Sequence, residues 1–264
     1  VYKRQGKGGV GKSTTAVNLT LALQAEGARA GLLDADIYGP SQALMLGVQG
    51  QRPETPDGKS FNPVIAHGIP VMSMAFLLTE RSPTIWRGPM VSGAFTQMLR
   101  QTNWGNLDYL VIDLPPGTGD IQLTLSQQVP VNGAVVVTTP QDIALLDARR
   151  GIEMFRRVEV PVLGVIENMS LHRCSKCGHT EHLFGQGGGD RIAAEYDTEL
   201  LGALPLDLSI RQHTDSGKPS VISYPDGVIA QSYRDIARRT AARLALFAEC
   251  SGSSNLITKT QGAD

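Results

Sequence analysis

The chain has 264 residues, with 24 basic and 25 acidic side chains for a net charge of −1, and is 41% hydrophobic and 19% charged. So balanced a charge argues against a nucleic-acid binder, which usually carries a basic excess, and no apolar run approaches the roughly 18 residues of a membrane span. Three cysteines make no disulfide framework and no secretory signal opens the sequence, so a reducing, cytoplasmic setting is expected.

In chain order, Lys12–Glu26 reads as a helix ended by Gly27, and Ala30–Leu33 as a buried strand. Val48–Pro63, with Pro53, Pro56 and Asp57-Gly58, reads as a surface loop leading into a hairpin around His67-Gly68. Helices are then expected at Pro89–Gln101, Ile121–Gln127, Ile143–Val158, Asp190–Tyr196 and Val228–Phe247. Strands alternate with them at Tyr109–Ile112, Ala134–Thr138, Val162–Ile166 and Leu200–Leu204. The strands are apolar on both faces, and strand-helix-strand alternation implies an α/β fold: a mostly parallel central sheet with helices on both faces. Arg234, Arg238, Arg239 and Arg243 on the last helix read as a solvated face. One domain is expected over residues 1–248, with a disordered tail over 249–264. Val1–Gln5 lacks the apolar strand that such folds place before the first glycine loop, and the first residue is not Met. A truncated start and a short first strand are therefore expected.

Gly6-Lys7-Gly8-Gly9-Val10-Gly11-Lys12-Ser13 fits the phosphate-loop pattern G-x-x-x-x-G-K-[ST] and opens the first helix. Glycines let backbone N–H groups turn toward phosphate oxygens, and the helix N-terminus adds partial positive charge. Lys12 is placed to reach the β- and γ-phosphates of ATP, Ser13 to ligate Mg²⁺, and Thr14 to lie beside them. The motif makes the expected fold that of a P-loop NTPase. Asp34 and Asp36 end one strand and Asp113 another, where open parallel sheets bind ligand. Asp113 is the expected Mg²⁺ carboxylate, directly or through water, in a loop Leu114-Pro-Pro-Gly-Thr-Gly suited to responding to the γ-phosphate. Asp34 reads equally well as a turn residue, and Asp120 as a helix cap.

Lys7, a second lysine inside the loop, resembles the deviant phosphate loop of the MinD/ParA and nitrogenase-iron-protein class. That resemblance implies a homodimer in which Lys7 reaches the partner's nucleotide and Asp36 orients the attacking water. Asp34-Ala-Asp-Ile-Tyr-Gly-Pro-Ser, Asp113-Leu-Pro-Pro-Gly-Thr-Gly-Asp, Glu167-Asn-Met-Ser and Cys174-Ser-Lys-Cys177 follow in one order. Together they resemble the Mrp/ApbC family of ATP-binding iron–sulfur cluster carriers, from about Gly6 to Leu246. The resemblance implies ATP hydrolysis, Asn168 as reader of the adenine, and Pro205-Leu206-Asp207 over the base. It also implies a [4Fe–4S] cluster on Cys174 and Cys177, with scaffold or donor proteins supplying it and apo-proteins receiving it. The small N-terminal domain of many bacterial members has no counterpart in this sequence.

A [4Fe–4S] cluster commonly takes four thiolates, so one Cys-x-x-Cys per chain suits two chains related by a two-fold axis. His172, His179 and His182 crowd the same loop, and Cys-x-x-Cys with histidine is also zinc chemistry. Gly187-Gly188-Gly189 reads either as room for that loop to move or as a helix-entry turn. A positioning ATPase of the MinD/ParA type is the other reading, although Ser251–Asp264 is too polar for a membrane-anchoring helix. Cys250 reads as a bystander.

Overall fold

The structure, a computed structural model, describes residues 9–36, 39–77, 88–117 and 131–250. The expected helix Ile121–Gln127, the opening Val1–Gln5 and the tail after Cys250 lie outside these residues. The first helix, α1 (Lys12–Ala25), ends where Gly27 takes φ 96°. There Gly27 N–H donates to the Gln24 carbonyl and Ala28 N–H to the Leu23 carbonyl, so the carbonyls left open at the helix end are satisfied.

Four strands form one sheet in the order β2-β3-β1-β4: β1 (Ala30–Asp34), β2 (Val64–Ala66), β3 (Ile69–Ser73) and β4 (Tyr109–Asp113). The hairpin around His67-Gly68 is present as β2 and β3, which pair antiparallel. Its second strand then runs parallel to β1, with Leu32 opposite Val71. A second sheet, β5-β6-β9, is parallel throughout: β5 (Ala134–Thr138), β6 (Val162–Glu167) and β9 (Leu200–Ala203). Two short strands, β7 (His172–Arg173) and β8 (Thr180–Glu181), make an outlying hairpin.

Neighbouring residues of β1 serve different cores, as the two-residue period of a strand requires. Leu32 belongs to a core cluster that includes Val17, Leu21, Val71, Ile166, Leu201, Tyr233 and Ile236, drawn from α1, both sheets and the last helix. Leu33 packs on the other face with Met72, Val91, Phe95 and Met98. Helices thus cover both faces, the arrangement expected of apolar parallel strands. The remaining helices are α2 (Gln42–Met45), α3 (Met74–Leu77), α4 (Gly88–Gln101), α5 (Asp142–Arg157), α6 (Gly188–Glu195), α7 (Leu208–Asp215), α8 (Ser220–Ser223) and α9 (Val228–Cys250). Of these, α2, α3, α7 and α8 went unread in the sequence. None of the described helices is long and apolar enough to cross a membrane.

The arginines of α9 lie on a solvated face, Arg238 and Arg239 exposed and Arg234 and Arg243 half-buried, and they also make specific contacts. Arg234 and Arg238 pair with Glu26 at 2.5 and 3.0 Å, while Arg239 and Arg243 donate to the carbonyls of Leu201 and Leu163. These bonds strap α9 onto α1 and onto β6 and β9 of the second sheet. They follow from the length of the arginine side chain, which reaches backbone acceptors across a helix–sheet contact.

Candidate nucleotide and thiol site

The phosphate loop is described from Gly9 onward; Gly6, Lys7 and Gly8 lie outside the described residues. Gly9 and Gly11 hold φ of 112° and 86°, where a side chain is strained. Gly11 is also hemmed in, because a Cβ there would lie 2.2 Å from Asn168 Nδ2. Lys12, Ser13 and Thr14 follow as the first turn of α1, all half-buried. The N–H groups of a first helical turn have no partner within the helix, so this end of α1 can receive phosphate oxygens.

The carboxylates stand beside it. Asp34 and Asp113 are register partners at the C-terminal ends of β1 and β4. Asp34 is fully buried and accepts from Asp36 N at 3.1 Å, Gln42 N at 3.2 Å and Ser73 Oγ at 2.9 Å. Burial, and then the charge of Asp113, push Asp34 up to about 7. Burial also pushes Asp113 up, opposed by hydrogen bonds from Ser13 and Gln42 and by the Lys12 charge; the Asp36 charge adds to the rise. Asp36 itself accepts from Gly39 N at 3.2 Å. The loop from Asp34 to Gln42 is therefore pinned at both ends by one carboxylate, with Asp36 on it. The sequence reading left Asp34 undecided and overlooked Ser73 and Gln42. Ser41 before Gln42-Ala-Leu-Met was the available signal, a capping-type residue ahead of an apolar run.

On the other side of the loop, Asn168 follows β6. Its Nδ2 donates to the Val10 carbonyl at 2.9 Å, and its Oδ1 accepts from Met169 N at 3.0 Å. The amide thus ties β6 to the phosphate loop, keeping one hydrogen and one lone pair for any other partner. Pro205, half-buried, lies just past β9, whose Ala203 is opposite Glu167.

The chain from Asn168 leads directly into the cysteine hairpin. Ser170 N and Oγ both donate to the Leu204 carbonyl at 3.0 Å. Leu206 N donates to the Leu171 carbonyl at 2.8 Å, and His172 Nδ1 lies 3.1 Å from the Leu206 carbonyl. Facing carbonyls, His172 Nδ1 and likewise His182 Nδ1, 2.8 Å from the Ser170 carbonyl, must carry hydrogens. These two rings act as struts on those faces.

Cys174 and Cys177 sit at the tip between β7 and β8. Cys174 N donates to the His179 carbonyl and Gly178 N to the Cys174 carbonyl, at 2.8 and 2.9 Å; Gly178 closes the turn with φ 72°. The backbone N–H groups of Cys177 and Lys176 and then the Cys177 side chain favour the charged form of the Cys174 sulfur. They hold its thiol below the ordinary value of 9.0, against desolvation and the Glu181 charge. Cys174 is half-buried and Cys177 exposed. Among the described residues, no three His, Cys, Asp or Glu side chains gather as a metal site.

Gly187-Gly188-Gly189 is a helix-entry turn. Gly187 stands before α6 at φ 68°, and Gly189 N donates to Glu167 Oε2 at 2.5 Å. A Cβ at Gly188 would meet the Pro140 Cα at 2.8 Å, and one at Gly189 the Glu167 Cβ at 2.9 Å. Close packing, rather than room to move, accounts for these two glycines.

Comparison with known proteins shows the family of the chain. A ParA model described as the NUBPL iron-transfer P-loop NTPase matches residues 3–241. An iron-sulfur cluster carrier protein of Pseudomonas fragi is 63% identical over 233 residues, 88% of this chain and 81% of that protein. The iron-sulfur cluster carrier protein of Escherichia coli K12 is 59% identical over 239 residues, covering 90% of this chain but 65% of its own length. Among solved structures, a nucleotide-binding protein of Archaeoglobus fulgidus in complex with ADP superposes with a TM-score of 0.74 at 35% identity, covering 86% of this chain and 87% of that one. With a family model spanning nearly the whole chain and relatives this similar, the chain belongs to the NUBPL-type iron-transfer P-loop NTPases of the ParA family.

Proposed function

We propose that this chain is an ATP-hydrolysing carrier that holds an iron–sulfur cluster between two copies of itself and passes it to apo-proteins. The observation that carries the reading is the Cys174–Cys177 turn, a half-buried and an exposed thiol joined by five residues to Asn168 beside the phosphate loop. N–H groups aimed at the Cys174 sulfur favour the thiolate, the form that binds metal. Two thiolates are half of the usual four-thiolate set, so a second chain completes it. Exposure suits cargo that the recipient's thiols must reach. Relatives 63% and 59% identical carry the name iron-sulfur cluster carrier protein, which favours this reading over a positioning ATPase.

The nucleotide end supplies the switch. Lys12 and the first turn of α1 bind the β- and γ-phosphates. The hydroxyl of Ser13 and the carboxylate of Asp113 are hard oxygen ligands, and Ser13 acts to lower the Asp113 carboxyl. They fit Mg²⁺, whose charge offsets the cost of burying Asp113. Bound there, the ion supplies neutralisation of phosphate charge. Asp36 accepts a hydrogen bond from the attacking water and aims it at the γ-phosphorus, and Lys7 of the second copy stabilises charge on the phosphates. Hydrolysis then depends on the closed dimer. The segment from Asn168 to Cys174 carries the change between the two ends.

The test is anaerobic reconstitution with iron and sulfide. About four irons per two chains, lost in Cys174→Ser and Cys177→Ser but kept in Cys250→Ser, is the expected result. A colourless monomer holding one zinc per chain replaces the cluster with a structural zinc. Co-sedimentation with liposomes only when ATP is present moves the reading to a positioning ATPase.

A further inference from the structure

Gln42 opens α2 and is fully buried, directly after the loop that bears Asp36. A buried primary amide costs stability unless its hydrogen bonds are made, and most of this one's are. Nε2 donates to Asp113 Oδ2 at 2.8 Å and to the Ser13 carbonyl at 3.0 Å. Two acceptors on one nitrogen fix which end of the amide is which. The backbone N–H of the same residue donates to Asp34. The other end of the amide behaves differently: Oε1 is buried and has no hydrogen-bond partner among the described residues.

Packing alone does not explain this side chain. A methionine or leucine would fill the same space with no orphaned acceptor, so the amide is selected for polar contacts. Two of them are in place, both on groups that flank the phosphate end of the nucleotide site. The third, at Oε1, lacks a donor among the described residues. A hydrated divalent ion offers donors only, because its waters turn their hydrogens outward, and Mg²⁺ in phosphate sites keeps several waters.

Resting on the nucleotide-site reading above, we propose that Gln42 is a positioning residue for the divalent metal: its Nε2 orients the Asp113 carboxylate against the start of α1, and its Oε1 accepts from a metal-bound water. The residue touches neither nucleotide nor reacting atoms and acts through Asp113. It also joins the Asp36 loop to the phosphate loop, so metal occupancy and the position of Asp36 are linked through one side chain.

The test separates metal from nucleotide. In Gln42→Met the length is kept while the two donors and the free acceptor are lost; Gln42→Leu is the second variant should the first misfold. Binding of a fluorescent ADP is measured in EDTA and across a Mg²⁺ titration, and bound Mn²⁺ is counted by electron paramagnetic resonance in the ADP complex. The expected result is metal-free ADP affinity within about twofold of the unaltered chain, with the Mg²⁺ and Mn²⁺ requirement raised roughly 10–100-fold. An unchanged metal requirement in both variants overturns the proposal, as does an equal loss of ADP affinity with and without metal, which is the signature of a purely structural role. If the unaltered chain binds no nucleotide, the nucleotide-site reading falls and this inference falls with it; metal-dependent binding that the variants share fully removes this inference alone.

Discussion

Asp34 and Asp113 lie opposite each other at the ends of two paired parallel strands, so two buried carboxylates share one corner of the sheet without a cation bonded to either among the described residues. Lys12 acts on Asp113 only through its charge. The arrangement favours one proton on the pair, and Asp34, pushed up to about 7 from 3.8, is where it sits.

The consequence is a pH dependence of stability. An acid whose folded pKa exceeds its unfolded one binds more protons when folded, so its contribution is complete below about pH 4 and is lost as pH rises to about 7. Relative to Asp34→Asn, which cannot ionise, the nucleotide-free chain should lose a few kcal/mol between pH 5 and pH 8. Urea midpoints of both proteins at the two pH values check this; parallel behaviour would mean that Asp34 is ionised throughout.

Gly11 and Asn168 make a second test, because each occupies the space the other needs. Gly11→Ala adds a Cβ 2.2 Å from Asn168 Nδ2 at a φ of 86°, and should cost about 2–4 kcal/mol while abolishing nucleotide binding. Asn168→Ala removes the strut to the Val10 carbonyl with less damage, on the order of 1–2 kcal/mol. If Asn168 also reads the base, the same variant loses preference for ATP over GTP. Competition between the two nucleotides, alongside thermal melts, distinguishes a strut from a reader.

Turnover in trans is the third. Lys12→Ala should abolish hydrolysis and weaken ATP binding. Asp36→Asn keeps its shape without the carboxylate and should bind ATP yet turn over about 10²–10³-fold more slowly. Lys7→Ala should likewise bind and not hydrolyse. Mixed with an excess of Asp36→Asn chains, it should recover activity, because each Lys7→Ala site then has its own Asp36 and its partner's Lys7. No recovery at any ratio would remove Lys7 from the shared interface.

Much of this protein is local and therefore legible. The strand at Ala30 and the helix end at Gly27 follow from apolar runs and from one residue's freedom at positive φ. The phosphate loop is a spacing of glycines, lysine and serine that backbone geometry demands. The thiol pair is likewise declared by its spacing. What the sequence could not declare is anything that depends on which strands become neighbours. Asp34 is an ordinary acidic turn residue until β1 and β4 pair and set Asp113 beside it. Gln42 is a loop glutamine until the fold closes over it and leaves one oxygen without a donor among the described residues. The arginines of α9 are a charged stripe until backbone carbonyls of β6 and β9 come within their reach. Spacing along the chain sets which groups are available, but desolvation and the distance between groups far apart in sequence set what each group is, and both exist only after the sheets have formed.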